Sequence, residues 1–300
     1  MTIPIGELAA LSVALLWSCG SLLFTWAARQ VGVVTTNSTR ITLAALLLAA
    51  LHLARLGTPF PRDVAAGQLG LLAVSGLVGL VIGDACYFRA LVLVGPRRAS
   101  VLFSLSPAMT VLLGWLLLQE TLGWRALAGI ALTLSGTAWV VLERAPSGGR
   151  APHTLLGTLC GLGAAAGQSV GLVLAKAAMG GMDALSATLV RMLAAAAVSC
   201  LVLVAGGRSR RVWADLRRPR VLAVLGLAAS IGPVLGVWLS LIAIQHTETA
   251  VAATLMALVP VMIIPLAAVT YKERPSFGSV AGAVVAVAGV AVLLARKTPG

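Results

Sequence analysis

The chain writes nearly one pattern twice. Gly79, Gly83, Ala90, Ala99, Leu102, Leu105, Pro107, Glu120, Ala128, Gly129 and Gly136 recur as Gly232, Gly236, Ala243, Ala252, Leu255, Leu258, Pro260, Glu273, Ala281, Gly282 and Gly289, at one offset (260 − 107 = 153) and without a gap. Upstream, Ala14, Ser18, Gly20, Arg40, Ala44 and Ala45 recur as Ala165, Ser169, Gly171, Arg191, Ala195 and Ala196 at a slightly smaller offset (191 − 40 = 151). The two-residue change falls between Ala45 and Gly79, where two apolar runs are joined, and connecting segments accept insertions. A chain built from two copies of one unit folds as two copies of one substructure. In an apolar chain that pattern points to a secondary transporter.

Composition decides the solvent. Of 300 residues, 59% are hydrophobic and 10% are charged, and the mean hydropathy is +1.01; soluble domains carry about 25% charged residues. A bilayer span needs about 20 apolar residues, so ten spans would use about 200 and leave short loops. The sequence predicts spans at 5–28, 34–56, 67–94, 98–118, 124–142, 155–179, 184–205, 221–244, 250–270 and 276–294. The domains are a first five-span repeat (1–142), a linker (143–154) and a second five-span repeat (155–300). Five is odd, so the second copy enters the membrane from the opposite face. The predicted fold is an all-α membrane protein of ten transmembrane helices, arranged as two inverted five-helix repeats.

The net charge of +13 does not indicate nucleic acid, because the basic residues lie in short segments between apolar runs, above all Arg208, Arg210, Arg211, Arg217, Arg218 and Arg220. Lys/Arg excess in loops is the ordinary mark of membrane topology. A plain count over the loops prefers both termini outside. Cys19, Cys86, Cys160 and Cys200 all lie in apolar runs without a CxxC pair and read as small core residues rather than disulfides or metal ligands. The first apolar run has no basic segment before it and reads as a mature helix rather than a signal peptide. No HExxH, GxSxG or P-loop pattern occurs, so neither an enzyme nor an ATP-driven motor is expected, and no cofactor or metal.

Several residues within the spans invite a functional reading. Asp84 lies near the centre of the third, and a carboxylate there costs about 2.5–3.5 kcal/mol on insertion scales. It is expected to face the interior, paired with Arg40 or Arg89 or else serving as a coupling site for protons. Its equivalent in the second copy is Val237. Arg40 and Arg191 lie under two turns into their spans, and read either as snorkelling to the interface or as gate, ion-pair or substrate-carboxylate residues. Pro107 and Pro260 sit near the middle of the fourth and ninth spans. Each is expected to break a helical hydrogen bond, on the carbonyl of Phe103 or Met256, as a static kink or a hinge. Glu120 and Glu273 are expected to cap or pair between repeats. Glu7, Leu11, Ala14, Ser18, Ser21 and Thr25 share a helical face that the second copy repeats as Thr158, Leu162, Ala165, Ser169, Leu172 and Lys176, so spans one and six are expected to line a central cavity. Trp17, Ser18, Tyr87, Gln168, Ser169 and Trp238 are the expected lining residues. The GxxxG pairs at 79/83, 232/236, 157/161, 163/167 and 278/282 allow close helix packing in lipid or sliding surfaces between repeats.

The ordered double set resembles the EamA-type members of the drug/metabolite transporter superfamily. It comprises an Arg early in each second helix, a Pro-centred fourth helix, Leu118–Gln119–Glu120–Thr121–Leu122 followed by Ala128–Gly129 and Gly136, and Tyr271–Lys272–Glu273–Arg274–Pro275 followed by Ala281–Gly282 and Gly289. The resemblance implies a ten-helix bundle around a cavity, export of small metabolites such as amino acids by alternating access, a bacterial inner-membrane location, and both termini cytoplasmic against the loop-charge count. The expected function is proton-coupled export of a small-molecule substrate by a monomer or homodimer. The alternatives are a passive facilitator or lipid-linked flippase of the same fold, or a non-transporting scaffold with a packed centre.

Overall fold

Backbone polar groups find no water in a bilayer core, so a spanning segment must satisfy them internally, which a helix does. The computed structural model describes residues 4–62, 64–143, 154–207, 209–262, 265–266 and 276–294. Among these, nine helices are long and apolar enough to cross a membrane: α1 (Ile5–Val31), α2 (Val33–Leu56), α3 (Ala66–Val94), α4 (Ala99–Leu118), α5 (Trp124–Leu142), α6 (Leu155–Met179), α7 (Ala184–Ala205), α8 (Pro219–His246) and α10 (Phe277–Leu294). The tenth, α9, is described over Thr249–Met262. A short helix, Ser209–Leu216, occupies the basic connector before α8. The motif around Glu273, with Lys272 and Arg274, lies outside the described residues, as does the linker from 144 to 153 and the side chain of Thr25.

Helical hydrogen bonding continues from α3 through Phe103, yet the chain turns back on itself there. The Tyr87 hydroxyl is 3.4 Å from that of Ser100, and the Tyr87 and Phe103 rings are 5.0 Å apart. Along a straight helix the two hydroxyl-bearing residues would be about 20 Å apart. So α3 and α4 run antiparallel.

Contacts between the copies show the inversion. Glu7 at the start of α1, Glu120 just beyond α4, Lys176 near the end of α6 and the turn at Thr247 and Thr249 meet at one membrane face, here called the near face. The end of α3 meets the start of α6 at the far face, where Gly157 abuts Leu93 and Val94. Helices α5 and α10 pair antiparallel through glycines of both copies. A Cβ on Gly129 would lie 2.9 Å from the Leu293 nitrogen, and one on Gly282 would lie 3.0 Å from the Gly136 carbonyl oxygen. Equivalent helices packed on each other in opposite directions are what a pseudo-two-fold axis in the membrane plane produces. The shared glycines at these positions are therefore packing residues.

Two departures from regular helix repeat along with the sequence. A π-helical segment occupies Leu77–Gly83 in α3 and Ser230–Gly236 in α8, so each GxxxG pair lies inside a widened turn. Pro233 is accommodated within the second segment and does not break α8. The second departure is at the prolines. The helical run ends at Phe103 and a new one opens at Ser106, with Pro107 in its first turn, where an absent N–H removes no helical bond. In α9 the first helix ends at Met256, and the Leu258 carbonyl accepts from Val261 and Met262 as Leu105 accepts from Met109. The expected kinks at Pro107 and Pro260 are corrected accordingly: each proline opens a second half-helix after a turn rather than bending a continuous rod.

Candidate functional site

The two π segments are where the repeats cross, and the two crossings are built differently. Helix α6 lies against α3 backbone to backbone. A Cβ on Gly171 would fall 2.9 Å from the Gly79 Cα, and one on Gly167 would fall 3.0 Å from the Gly83 Cα. The Ser75 hydroxyl donates to the Gly171 carbonyl across the contact. At the equivalent crossing of α1 on α8, a Cβ on Gly20 would keep 3.9 Å from the Gly232 Cα. Aromatic rings fill the difference: Phe24 lies over Gly232 and the Trp17 indole over Gly236.

Each crossing has its arginine. Helices α2 and α7 pair antiparallel, with Thr42 against Cys200 and His52 against Ser186. That register sets Arg191 opposite about residue 49 of α2, about 14 Å in depth from Arg40 at 1.5 Å per residue. Arg40 serves the far half of the membrane and Arg191 the near half. Arg40 reaches inward to Asp84, with 2.5 Å between Nη2 and Oδ2. The same nitrogen donates to Asn37 Oδ1 at 2.7 Å, and the guanidinium lies 4.8 Å over the Phe24 ring, a cation–π contact. Asp84 follows directly on the π segment of α3, and the pair is only partly buried, with side-chain exposures of 18% and 30%. Arg191 is 4% exposed; its Nη2 lies 3.6 Å from where a Gly79 Cβ would be, and its Nε and Nη1 have no hydrogen-bond partner. Neither arginine snorkels to the interface.

The hydroxyls of the matched stripes are occupied. Ser18 donates to the Ala14 carbonyl (2.6 Å) and the Val259 carbonyl (3.2 Å). Ser169 donates to the Ala165 carbonyl (2.8 Å) and the Ser106 carbonyl (2.7 Å). Residues 106 and 259 are equivalent positions, each just before a half-helix proline. Both serines are fully buried, so the expectation that they line a cavity is corrected: they tie α1 to α9 and α6 to α4 at the helix breaks. Trp17 is partly buried and packs against the main core. Gln168 is half-buried, with its backbone against Gly83, in the place Trp17 takes against Gly236. Trp238 packs on the core and under Arg55, 5.5 Å away. Tyr87 is half-buried beside Asp84, Ser100 and Phe103. The residues actually gathered are Phe24, Arg40, Asp84, Tyr87, Ser100 and Phe103. Polarity and periodicity do not single out Phe24, although it lies one turn beyond Gly20 on α1.

A second network closes the near face. Gln119 ends α4 in the left-handed region (φ 55°), which turns Glu120 back over Gly114. The Glu120 carboxylate accepts from Lys176 Nζ at 2.7 Å and from the N–H and hydroxyl of Thr249 at 2.9 and 2.8 Å, capping α9 from another helix. Lys176 also donates to the Thr247 carbonyl at 2.8 Å. Glu120 thus pairs between repeats, as expected. A cavity of about 520 Å³ is lined among others by His52, Arg62, Gln68 and Ser186. His52 donates to the Thr58 carbonyl at 2.5 Å and meets the Ser186 hydroxyl at 3.1 Å.

No curated protein sequence matches the chain. Among solved structures 29 chains match; one, titled only as the crystal structure of a protein, is 25% identical, covers 98% of this chain and 99% of its own, and superposes with a TM-score of 0.78. The model of the EamA-like transporter family matches residues 4–142 and again 155–295. Two successive matches to one family model restate the duplication, and the chain belongs to the EamA-like transporter family.

Proposed function

We propose that the chain is a secondary transporter that exports small metabolites across the bacterial inner membrane by alternating access, with Asp84 as the proton-coupling group. One observation carries the reading. An intramembrane ion pair, Arg40–Asp84, stands partly exposed at a π-helical turn where the two repeats cross. Intramembrane charges of this kind mark substrate and ion pathways, and π turns within helices are frequent at functional sites. Protonation of Asp84 would remove the charge that holds Arg40 and free the far half of the α1–α8 crossing. In this state the near face is latched by Glu120, Lys176 and Thr249. Breaking that latch while closing the Arg40 side would exchange the two faces, and the inverted repeats provide equivalent helices for both halves of the cycle.

The experiment is untargeted measurement of metabolites released by cells expressing the wild type or Asp84→Asn, followed by reconstitution of the enriched metabolite in vesicles. Gradient-driven release by the wild type, lost in Asp84→Asn with protein yield kept, is the expected result. Full gradient-driven transport by Asp84→Asn would overturn the coupling role. Flux unaffected by an uncoupler would make the protein a passive facilitator.

A further inference from the structure

Arg191 is a buried cation whose counter-ion was not duplicated. We propose that Arg191 binds the carboxylate of the transported substrate, which makes the cargo an organic acid or an amino acid rather than a neutral or purely cationic metabolite. The inference rests on the transporter reading and names its substrate class.

Three observations support it. First, the side chain is 4% exposed, and two of its three guanidinium nitrogens have no acceptor. Guanidinium stays charged in a protein, and an unpaired buried charge is strongly destabilising. A ligand that binds with the opposite charge would offset that penalty. Second, the duplication isolates what is missing. Arg40 and Arg191 are equivalent, yet Arg40 has Asp84 while the residue equivalent to Asp84 is Val237, buried in an apolar cluster with Leu185, Leu189 and Met192 of α7. Among the described residues no carboxylate forms an ion pair with Arg191. Third, the guanidinium abuts the π segment of α3 beside Gly79, at the crossing between repeats and not at a lipid-facing surface. Arginine's planar set of donors matches a carboxylate in two parallel hydrogen bonds. The present state is then the empty, near-side-closed one. Opening the latch at Glu120 would expose Arg191 to the near face, and passage of the cargo toward Arg40 would follow the axis between the crossings.

The test uses purified full-length protein in nanodiscs and thermal unfolding. The probes are short-chain carboxylates, each paired with its primary amide, with sodium chloride at equal ionic strength as the third arm. A ligand that binds only the folded state raises its stability by mass action. At least one carboxylate is expected to raise the wild-type midpoint while its amide and chloride do not, and Arg191→Gln is expected to lose that rise through an affinity drop of about tenfold or more. Val237→Asp restores the missing counter-ion; it is expected to raise the midpoint without ligand and to abolish the carboxylate response, which keeps the test alive if Arg191→Gln folds poorly. Equal shifts from acid and amide, a carboxylate response surviving in either variant, or no response of the wild type to any carboxylate would each overturn the proposal. The two readings fail separately: release of a neutral metabolite would leave transport standing and remove this site, whereas carboxylate binding without any transport would do the reverse.

Discussion

The α3–α6 and α8–α1 crossings descend from one sequence element, share a π turn and a glycine pair, and differ in what lies between the backbones. At α3–α6 the glycines of both helices meet, and the arginine behind them is sealed. At α8–α1, Trp17 and Phe24 hold the helices apart, and the arginine there, Arg40, reaches across to the partly exposed Asp84 of α3. A symmetric machine at rest in an asymmetric state needs one half tight and one half loose. The comparison shows which side chains make the difference: small residues on α6 where α1 carries rings, and Asp84 where α8 carries Val237.

Substitutions at equivalent positions should break this comparison in a graded way. Gly171→Ala drives a methyl to 2.9 Å from the Gly79 Cα, where only backbone could give way. It is expected to lower stability by about 1–3 kcal/mol through overpacking, read as a lower thermal midpoint. Gly20→Ala, its equivalent, meets nothing closer than the Phe24 ring at 3.7 Å and is expected to stay within about 0.5 kcal/mol of the wild type. Equal effects would mean that the two crossings are not differently packed.

Asp84→Val, which makes the first copy match the second, leaves Arg40 without its carboxylate and is expected to lower stability by about 1–3 kcal/mol. Adding Arg40→Leu should restore most of that loss, since removing both members of a pair is far milder than removing one. An additive double variant would show that the pair is not coupled. Glu120→Gln weakens the near-face latch by taking away the charge that Lys176 and Thr249 share. It is expected to speed labelling of a cysteine placed at the neighbouring buried Ala250, with little change in midpoint, and unchanged labelling would remove Glu120 from the gate. The smallest effect should separate Ser169→Ala from Ser18→Ala. Hydrogen bonds between helices in a membrane contribute about 0.6 kcal/mol on average, and Ser169 holds the Ser106 carbonyl at 2.7 Å where Ser18 holds that of Val259 at 3.2 Å. Ser169→Ala is expected to lower the midpoint more.

Much of the fold was legible before any coordinates. The span at 184–205 coincides with α7, because about 20 apolar residues between polar ends leave a helix little choice. The inversion followed from counting to five. The prolines are visible in the sequence but their role is not, since the sequence shows a missing N–H and not that the helix has already ended at Phe103. The site was legible in part. Asp84, Arg40 and Tyr87 stood out as polar groups among apolar ones and do gather. Ser18, Ser169 and Trp17 stood out by periodicity, yet they face neighbouring helices rather than a cavity, and periodicity cannot tell those two interiors apart.

The sequence by itself determined the solvent, the number of crossings, the duplication and hence the inversion, because these depend on hydrophobicity and repetition along the chain. Only the tertiary structure decided that Asp84 takes Arg40 as its partner, that Glu120 crosses to Lys176 and Thr249, and that Arg191 has no carboxylate. Pairing depends on which faces of distant helices meet, and in a bundle with two similar halves that is set by a few residues where the halves differ, not by the pattern they share.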